Sequence, residues 1–308
     1  MSRESRVSRD VIAAFPGVPE GSISARAFDG LDFQRHMDDQ AIASIVTFLR
    51  TEFTRMEAAG LHDVVLGLSG GLDSVVVVRL CQLAAEGARQ VYAVTVDLGR
   101  PGEAARAAAI ARSAGSLGVR HRLIDGRACR QTMLDASPAR GPWSDINTDT
   151  RLIHGFIFRA ADADSCSVVS TVDYSENLLG RHTEGFYGQL EPLGSTYKTE
   201  VRELAKSLGV LDCLSDVRPG CEDYWYDDEV LGVGYDVIDP ILYLLVEQQR
   251  MPQWISEHFG IADVGWIERL ARRVAIQPLR LETRCPEVAN RFLRQQRDEN
   301  GSANLRSQ

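Results

Sequence analysis

The chain has 308 residues, of which 44% are hydrophobic and 25% charged, and its formal net charge is −9. That is enough chain to bury a sizeable core in one large domain or two small ones, and an acidic total argues against coating nucleic acid through the overall field. No apolar run reaches the roughly 18 residues of a membrane span, and the opening MSRESRVSRD has no apolar stretch of the secretory kind behind it. The six cysteines, Cys81, Cys129, Cys166, Cys213, Cys221 and Cys285, are scattered without a CxxC pair or a nearby His at ligand spacing. They read as reduced thiols of a cytoplasmic protein, mostly core filler, with Cys221 and Cys285 the two that could sit near a site.

Residues 1–38 hold Gly, Pro and Ser with weak periodicity and read as an extension rather than a domain. From Asp39, Ile42, Ile45, Val46, Phe48, Leu49 and Phe53 fall at helical spacing, and Gly60 stops the helix. "DVVLGL" (63–68) reads as a strand followed by a helix over about 74–86. "VYAVTVDL" (91–98) precedes a helix over about 103–117, "VRHRLI" (119–124) precedes further helical stretches, and "CSVVSTV" (166–172) closes the series. This alternation predicts an α/β fold, a parallel twisted sheet with helices on both faces. Beyond Leu193 the pattern is helical, in "YKTEVRELAKSLG" and over 235–249, 253–259 and 264–275. The expected division is an extension (1–38), one α/β domain with a helical C-terminal part (39–290), and a tail (291–308).

In "VVLGLSGGLDSVVVV" (64–78) a buried strand is interrupted by SGGLDS and returns at once to valines. A parallel strand ending at Leu68 delivers the chain to the carboxyl edge of the sheet, where α/β folds bind ligands. Gly70 and Gly71 admit close backbone approach, and the helix start beyond them offers unpaired N–H groups to an anion. Ser69 and Ser74 add hydroxyls. Asp73 would repel a phosphate unless a hard cation such as Mg²⁺ lay between them. A glycine turn before an acidic helix start also occurs in proteins that bind nothing. The Walker A pattern and the GxGxxG fingerprint are both absent.

SGGLDS resembles the SGGxDS loop of the ATP pyrophosphatases, the PP-loop enzymes, whose loop holds the pyrophosphate of ATP while a substrate oxygen is adenylated. "NTDTRL" (147–152), "STVDYSENLLG" (170–180), "LEPLGSTYKTEVRELAKSLGV" (190–210) and "DDEVLGVGYDVIDPIL" (227–242) resemble successive blocks of the ammonia-dependent NAD⁺ synthetases, in order, from about Asp39 to about Pro286. The resemblance implies an adenine nucleotide alpha hydrolase-like fold and an ATP-dependent ligase. A carboxylate is adenylated with loss of pyrophosphate, then ammonia displaces AMP to leave an amide. It implies ATP and Mg²⁺, a small-molecule carboxylate and ammonia, a homodimer, and neither nucleic acid nor membrane as partner.

Residue by residue, the resemblance makes Asp73 and Glu176 the metal carboxylates, and Asp73 and Lys198 the catalytic pair. Ser69, Gly70, Gly71, Ser74, Thr171 and Lys198 join Asp73 around ATP. The adenine is expected over the end of the second strand, at Val96 and Asp97, with Arg100 in reach of the base or ribose. Asn147, Arg151 and Thr183 are the expected substrate contacts; the first two share a helix face through their spacing. On the residues alone, Glu176 also reads as a surface carboxylate and Lys198 as a solvated helix-start lysine.

Departures cluster elsewhere. Where the family carries Phe-Thr-Lys-Tyr-Gly-Asp-Gly, this chain has "RHTEGFYG" (181–188): Thr183 and Gly188 are kept, Glu184 replaces the Lys, and Phe186–Tyr187 replace Gly-Asp. In "RPGCEDYWYDDEVLG" (218–232) Gly220 stands for a small hydroxyl residue, and "LETRCPEV" keeps only Arg284 and Pro286. Three readings follow: an NAD⁺-synthetase-like ligase acting on deamido-NAD⁺ or on another carboxylate; a different PP-loop chemistry, joining a larger amine or modifying RNA; and a non-catalytic nucleotide-binding subunit. The acidic charge opposes RNA, and Asp73, Glu176 and Lys198 together oppose an inert subunit. No fused glutaminase is expected, and Cys81 in the helix after the loop reads as too embedded to act as its nucleophile, so free ammonia or an amine from a partner is the expected donor.

Overall fold

The computed structural model describes residues 23–138, 142–183, 185, 188–215, 220–221 and 225–281. Four parallel strands lie in the order β3-β2-β1-β4, where β1 is Asp63–Gly67, β2 Val91–Asp97, β3 Arg120–Asp125 and β4 Cys166–Val169. Val64 pairs with Val91 on one side and Ser167 on the other. Strand β1 is therefore central, and its apolar residues serve two faces. Val64 and Leu66 enter one core while Val65 enters the other, as expected of a parallel strand covered on both sides.

The first core is closed by α1 (Asp39–Ala58), α2 (Leu72–Ala85) and α3 (Glu103–Leu117). Helix α2 is the one announced by the valine run, and Val75 to Val78 are all buried. A helix apolar all round is stable only when enclosed, and this one lies between the sheet, α1 and α7 (Lys198–Ser207), which adds Val201, Leu204 and Ala205. After α4 (Arg127–Ala136), the long α5 (Pro142–Asp164) covers the other face with Ile157, Ala160 and Ala161. A third core joins α6 (Tyr174–Leu179), α8 (Asp227–Leu231), α9 (Tyr235–Val246), α10 (Pro252–Phe259) and α11 (Val264–Leu281) around Trp266. Among the described residues no helix is long and apolar enough to cross a membrane.

Element boundaries differ from the sequence reading for local reasons. Helix α2 begins at Leu72, with Gly71 as N-cap, because the glycine's extended backbone starts the turn itself. The fourth strand ends at Val169 instead of 172. Ser170 N gives its hydrogen bond to the Leu190 carbonyl, and Asp173 caps α6. Helix α11 continues to Leu281 rather than 275. Residues 23–38 pack on two cores, with Phe28 buried in the third and Met37 in the first. Cys81, Cys129, Cys166 and Cys213 form no disulfide; the Cys221 side chain and Cys285 lie outside the described residues, as do Glu184, Phe186, Tyr187, Arg218, Pro219, Arg284, Pro286 and the tail.

Beyond β4 the chain returns in residues 188–190. Gln189 N donates to the Val168 carbonyl at 2.8 Å, its side-chain Oε1 accepts from Val168 N at 2.6 Å, and Leu190 bridges Val169 in parallel. Gly188 makes that approach possible, since a Cβ there would lie 2.6 Å from both Ser170 N and Val168 O. Backbone cannot yield as a flexible side chain can, so Gly188→Ala is expected to lower stability by about 2–4 kcal/mol. Chemical denaturation of the variant beside the parent checks this.

Candidate active site

Strand β1 ends beside β2, where Leu68 N donates to the Val94 carbonyl, and the chain turns over the carboxyl edge of the sheet. Gly70 alone of the loop glycines takes a left-handed backbone, at φ +77°. The loop is stitched internally. Ser69 Oγ lies 3.1 Å from Ser74 Oγ, Ser74 Oγ donates to the Gly71 carbonyl at 3.0 Å, and Gly71 N donates to Ser69 Oγ. The hydroxyls expected on a ligand thus first hold the loop in shape. Ser215 closes the loop from outside, donating its N–H to the Gly70 carbonyl at 2.9 Å, with its side chain in the space a Gly70 Cβ would fill.

Asp73 stands in the first turn of α2 and Glu176 in the first turn of α6. Between them lies the Lys198 ammonium, buried, 2.8 Å from Asp73 Oδ2, 3.0 Å from Glu176 Oε1 and 2.7 Å from Asp173 Oδ2. Asp173 is the N-cap of α6, and its other oxygen accepts from Glu176 N at 2.8 Å. Burial pushes Asp173 well above the ordinary carboxylate range, with Glu176 and Asp73 adding to it against Lys198. Burial likewise raises Glu176. It works against the Lys198 charge, but Asp173, Asp73 and Glu176 outweigh it and hold the lysine pKa well up.

The acids outnumber the cation at this centre. Their oxygens lie within 4.8 Å of one another, and Asp73 Oδ1 is buried without a hydrogen-bond partner. A hard divalent cation fits such an all-oxygen set.

A second layer fixes the first. Asp239, fully buried in α9, accepts from Ser175 Oγ at 2.7 Å and from Thr199 N at 2.8 Å, while Ser175 Oγ accepts from Lys198 N at 2.9 Å. One carboxylate thus ties the start of α7 to the helix that carries Glu176. Arg181 pairs with Asp227, which also accepts from Tyr235 Oη at 2.7 Å. Burial would raise Asp227, yet Arg181 and Tyr235 hold its pKa below the usual value.

Next to the loop is a cavity of about 190 Å³, lined by Ser69, Val96, Arg100, Thr171 and the α5 residues Ile153 and His154 among others. Arg100 is locked by Glu103, which accepts from its Nη2 at 2.7 Å, and it lies 3.9 Å from Asp149. Asp97 is not in the lining. Its carboxylate accepts from Gly99 N at 2.8 Å and so shapes the turn after β2. Thr183 Oγ1 donates to Asn147 Oδ1 at 2.9 Å, so those two meet, whereas Arg151 is exposed and outside the lining.

A family model described as NAD synthase matches residues 41–275. The chain belongs to that family. NH₃-dependent NAD⁺ synthetases of Chlorobaculum parvum and Chlorobium phaeobacteroides are 30% and 28% identical to it, each alignment covering 84% of this chain and 96% of the relative. Among solved structures, NMN synthetase from Francisella tularensis superposes with a TM-score of 0.62 at 20% identity, covering 80% of this chain and 98% of that one. The NH₃-dependent NAD synthetase of Campylobacter jejuni gives 0.58 at 20%, covering 80% and 97%. These two show the PP-loop fold. The protein is an ATP-dependent, amide-forming carbon–nitrogen ligase of the NAD⁺ synthetase type.

Asp173, Asp239 and Ser215 were not among the residues singled out by motif. The Asp-x-x-Glu spacing at 173–176 is a capping box, which signalled Asp173 as a helix start. Asp239 sits in an apolar run and Ser215 in a stretch without a motif, with no local signal for either. The same buried Asp239 gives a pH test. Burial pushes it up to about 6, against Ser175 and Thr199, so the stability present below the unfolded pKa is lost as pH rises through the folded one. Unfolding free energies from pH 4 to 7 should show the parent's advantage over Asp239→Asn shrinking by roughly 3 kcal/mol.

Proposed function

We propose that this ligase acts on deamido-NAD⁺, converting its nicotinate carboxylate to the amide. The observation that carries the reading is the Lys198 ammonium set among Asp73, Asp173 and Glu176 beside the SGGLDS loop. A carboxylate does not react with ammonia until its oxygen is made a leaving group. The carboxylate oxygen attacks the α-phosphorus of ATP and pyrophosphate departs; ammonia then attacks the acyl carbon, loses a proton, and AMP leaves with the C–O electron pair.

The chain's residues divide this work. The N–H groups at the start of α2, with Ser69, Gly70, Gly71 and Ser74, cradle the phosphates. Lys198 stabilises the charge that builds on the departing pyrophosphate. The adenosine occupies the cavity at Val96, Arg100 and Thr171, and Asn147 with Thr183 faces the acceptor. Asp73, through its unpartnered Oδ1, and Glu176 would hold Mg²⁺, which when bound neutralises phosphate charge. Cys81 is buried and its thiol is pushed up to about 12 by that burial. It is therefore no acyl nucleophile, and ammonia is the donor in this reading, as the names of the NH₃-dependent relatives suggest.

The enzyme acts in the cytoplasm as a homodimer. The open side of the sheet supports the second copy: β3 is exposed along much of its length, α4 buries no side chain, and Leu123 and Met133 are 53% and 47% exposed. Leu123→Lys is expected to convert a dimer to a monomer in light scattering; a monomeric parent would remove this part of the reading.

The assay combines pure protein, Mg²⁺, ATP, ammonium and deamido-NAD⁺, with AMP, pyrophosphate and NAD⁺ followed together. One NAD⁺ per AMP is expected; a preparation that binds ATP but makes no NAD⁺ would overturn deamido-NAD⁺ as the substrate and move the search to other carboxylic acids. Asp73→Asn should lower Mg²⁺-dependent pyrophosphate release by about 100-fold or more, while circular dichroism shows an unchanged fold.

A further inference from the structure

Lys198 is the first residue of α7, so its place depends on how that helix starts. The start is closed by a capping box in which Glu200 Oε2 accepts from Tyr197 N at 2.9 Å. Glu200 is fully buried, and a buried carboxylate needs a cation and full hydrogen bonding. Both come from outside the helix. Arg35 donates from its backbone N and Nε to Oε1 at 2.9 and 3.0 Å, and from Nη2 to Oε2 at 2.7 Å. The same guanidinium reaches the Ser195 carbonyl.

The neighbouring residues of that segment hold the other side of the turn. Phe33 lies edge-on to Tyr197, with ring centroids 6.3 Å apart, and Tyr197 in turn meets Tyr174 at 5.1 Å, the residue after Asp173. Tyr197 Oη donates to Glu247 at 2.7 Å, so the ring cannot swing. The segment is itself pinned at both ends by buried Phe28 and by Met37, whose carbonyl accepts from Ser207 Oγ at 2.7 Å.

We infer that Arg35 is a positioning residue for Lys198, acting through Glu200 and Tyr197, and that residues 33–35 belong to the catalytic housing. This rests on the reading that Lys198 works on the phosphates of ATP. Misplacing a catalytic group by an ångström costs far more in rate than in binding. Loss of Arg35 therefore weakens the step that releases pyrophosphate and leaves nucleotide binding intact.

The test uses the full chain. Arg35→Ala should lower single-turnover pyrophosphate release about tenfold or more while the Kd of a non-hydrolysable ATP analogue changes less than about twofold. Arg35→Lys should recover part of the rate, since an ammonium pairs with the carboxylate but cannot fork across both oxygens. Arg50→Ala, which removes the surface ion pair to Glu86, should leave the rate unchanged. If Arg35→Ala does not fold, Arg35→Met with Glu200→Gln removes the buried charge and keeps an acceptor for Tyr197 N; a slowed release in that folded variant supports the inference. Parental release rates in a folded variant lacking Arg35, or an equal loss in analogue binding, overturn it. A parent that makes no amide would instead sink the reading of the site itself.

Discussion

The structure depends on one buried cation. An ammonium at the first position of a helix faces the positive end of the dipole and has been taken out of water, and both effects disfavour it. Lys198 is tolerated there because three carboxylates, from α2, the cap of α6 and its first turn, converge on it. Each acid gains in turn. Asp73 and Glu176 lie at helix N-termini, where negative charge is favoured, and Asp173 satisfies a backbone N–H of α6. The three helix starts meet at the carboxyl edge of the sheet because parallel strands deliver their helices there. The fold thus determines where the charge can be, and the charge holds the helix starts together.

How much of this could be read from the chain follows the length scale of each signal. The strand–loop–helix around SGGLDS is local, and the alternation of valine-rich runs with helical periods gave the sheet and its covering helices. Glu176 and Lys198, which meet at the charged centre, sit within blocks that resemble a known family. Asp239 and Arg35 carry no such mark, since the groups they hydrogen-bond lie 40 and 165 positions away in sequence. Asp97 and Arg151 mark a different limit. A motif fixes a residue's place along the backbone, but what the side chain meets depends on its surroundings, which for Asp97 is the turn at Gly99 and for Arg151 is open solvent.

Around the charged centre the support is layered and mostly non-local. Asp239 bridges α6 and α7 from the C-terminal core, Arg35 grips the α7 start from the N-terminal side, and Ser215 abuts Gly70. Each contact is made by a segment that does not carry the motif it supports. A charged group held by several elements keeps its geometry only when all of them are folded, so the arrangement of this centre depends on the whole domain. Within the stretches that depart from the family pattern, Gly188 lies close against the β4 backbone and Asp227 pairs with Arg181.

Gly188 has a further consequence for the life of the protein in a crowded solution. Strand β4 is buried on all four residues, so its free edge, if bared, would offer apolar side chains and unpaired backbone groups to any passing chain. Residues 188–190 cover that edge, and only the smallest residue lets them come near enough to do so. The glycine therefore also decides whether that edge is covered: with a larger residue at 188, an apolar strand edge would stand open to a neighbouring chain.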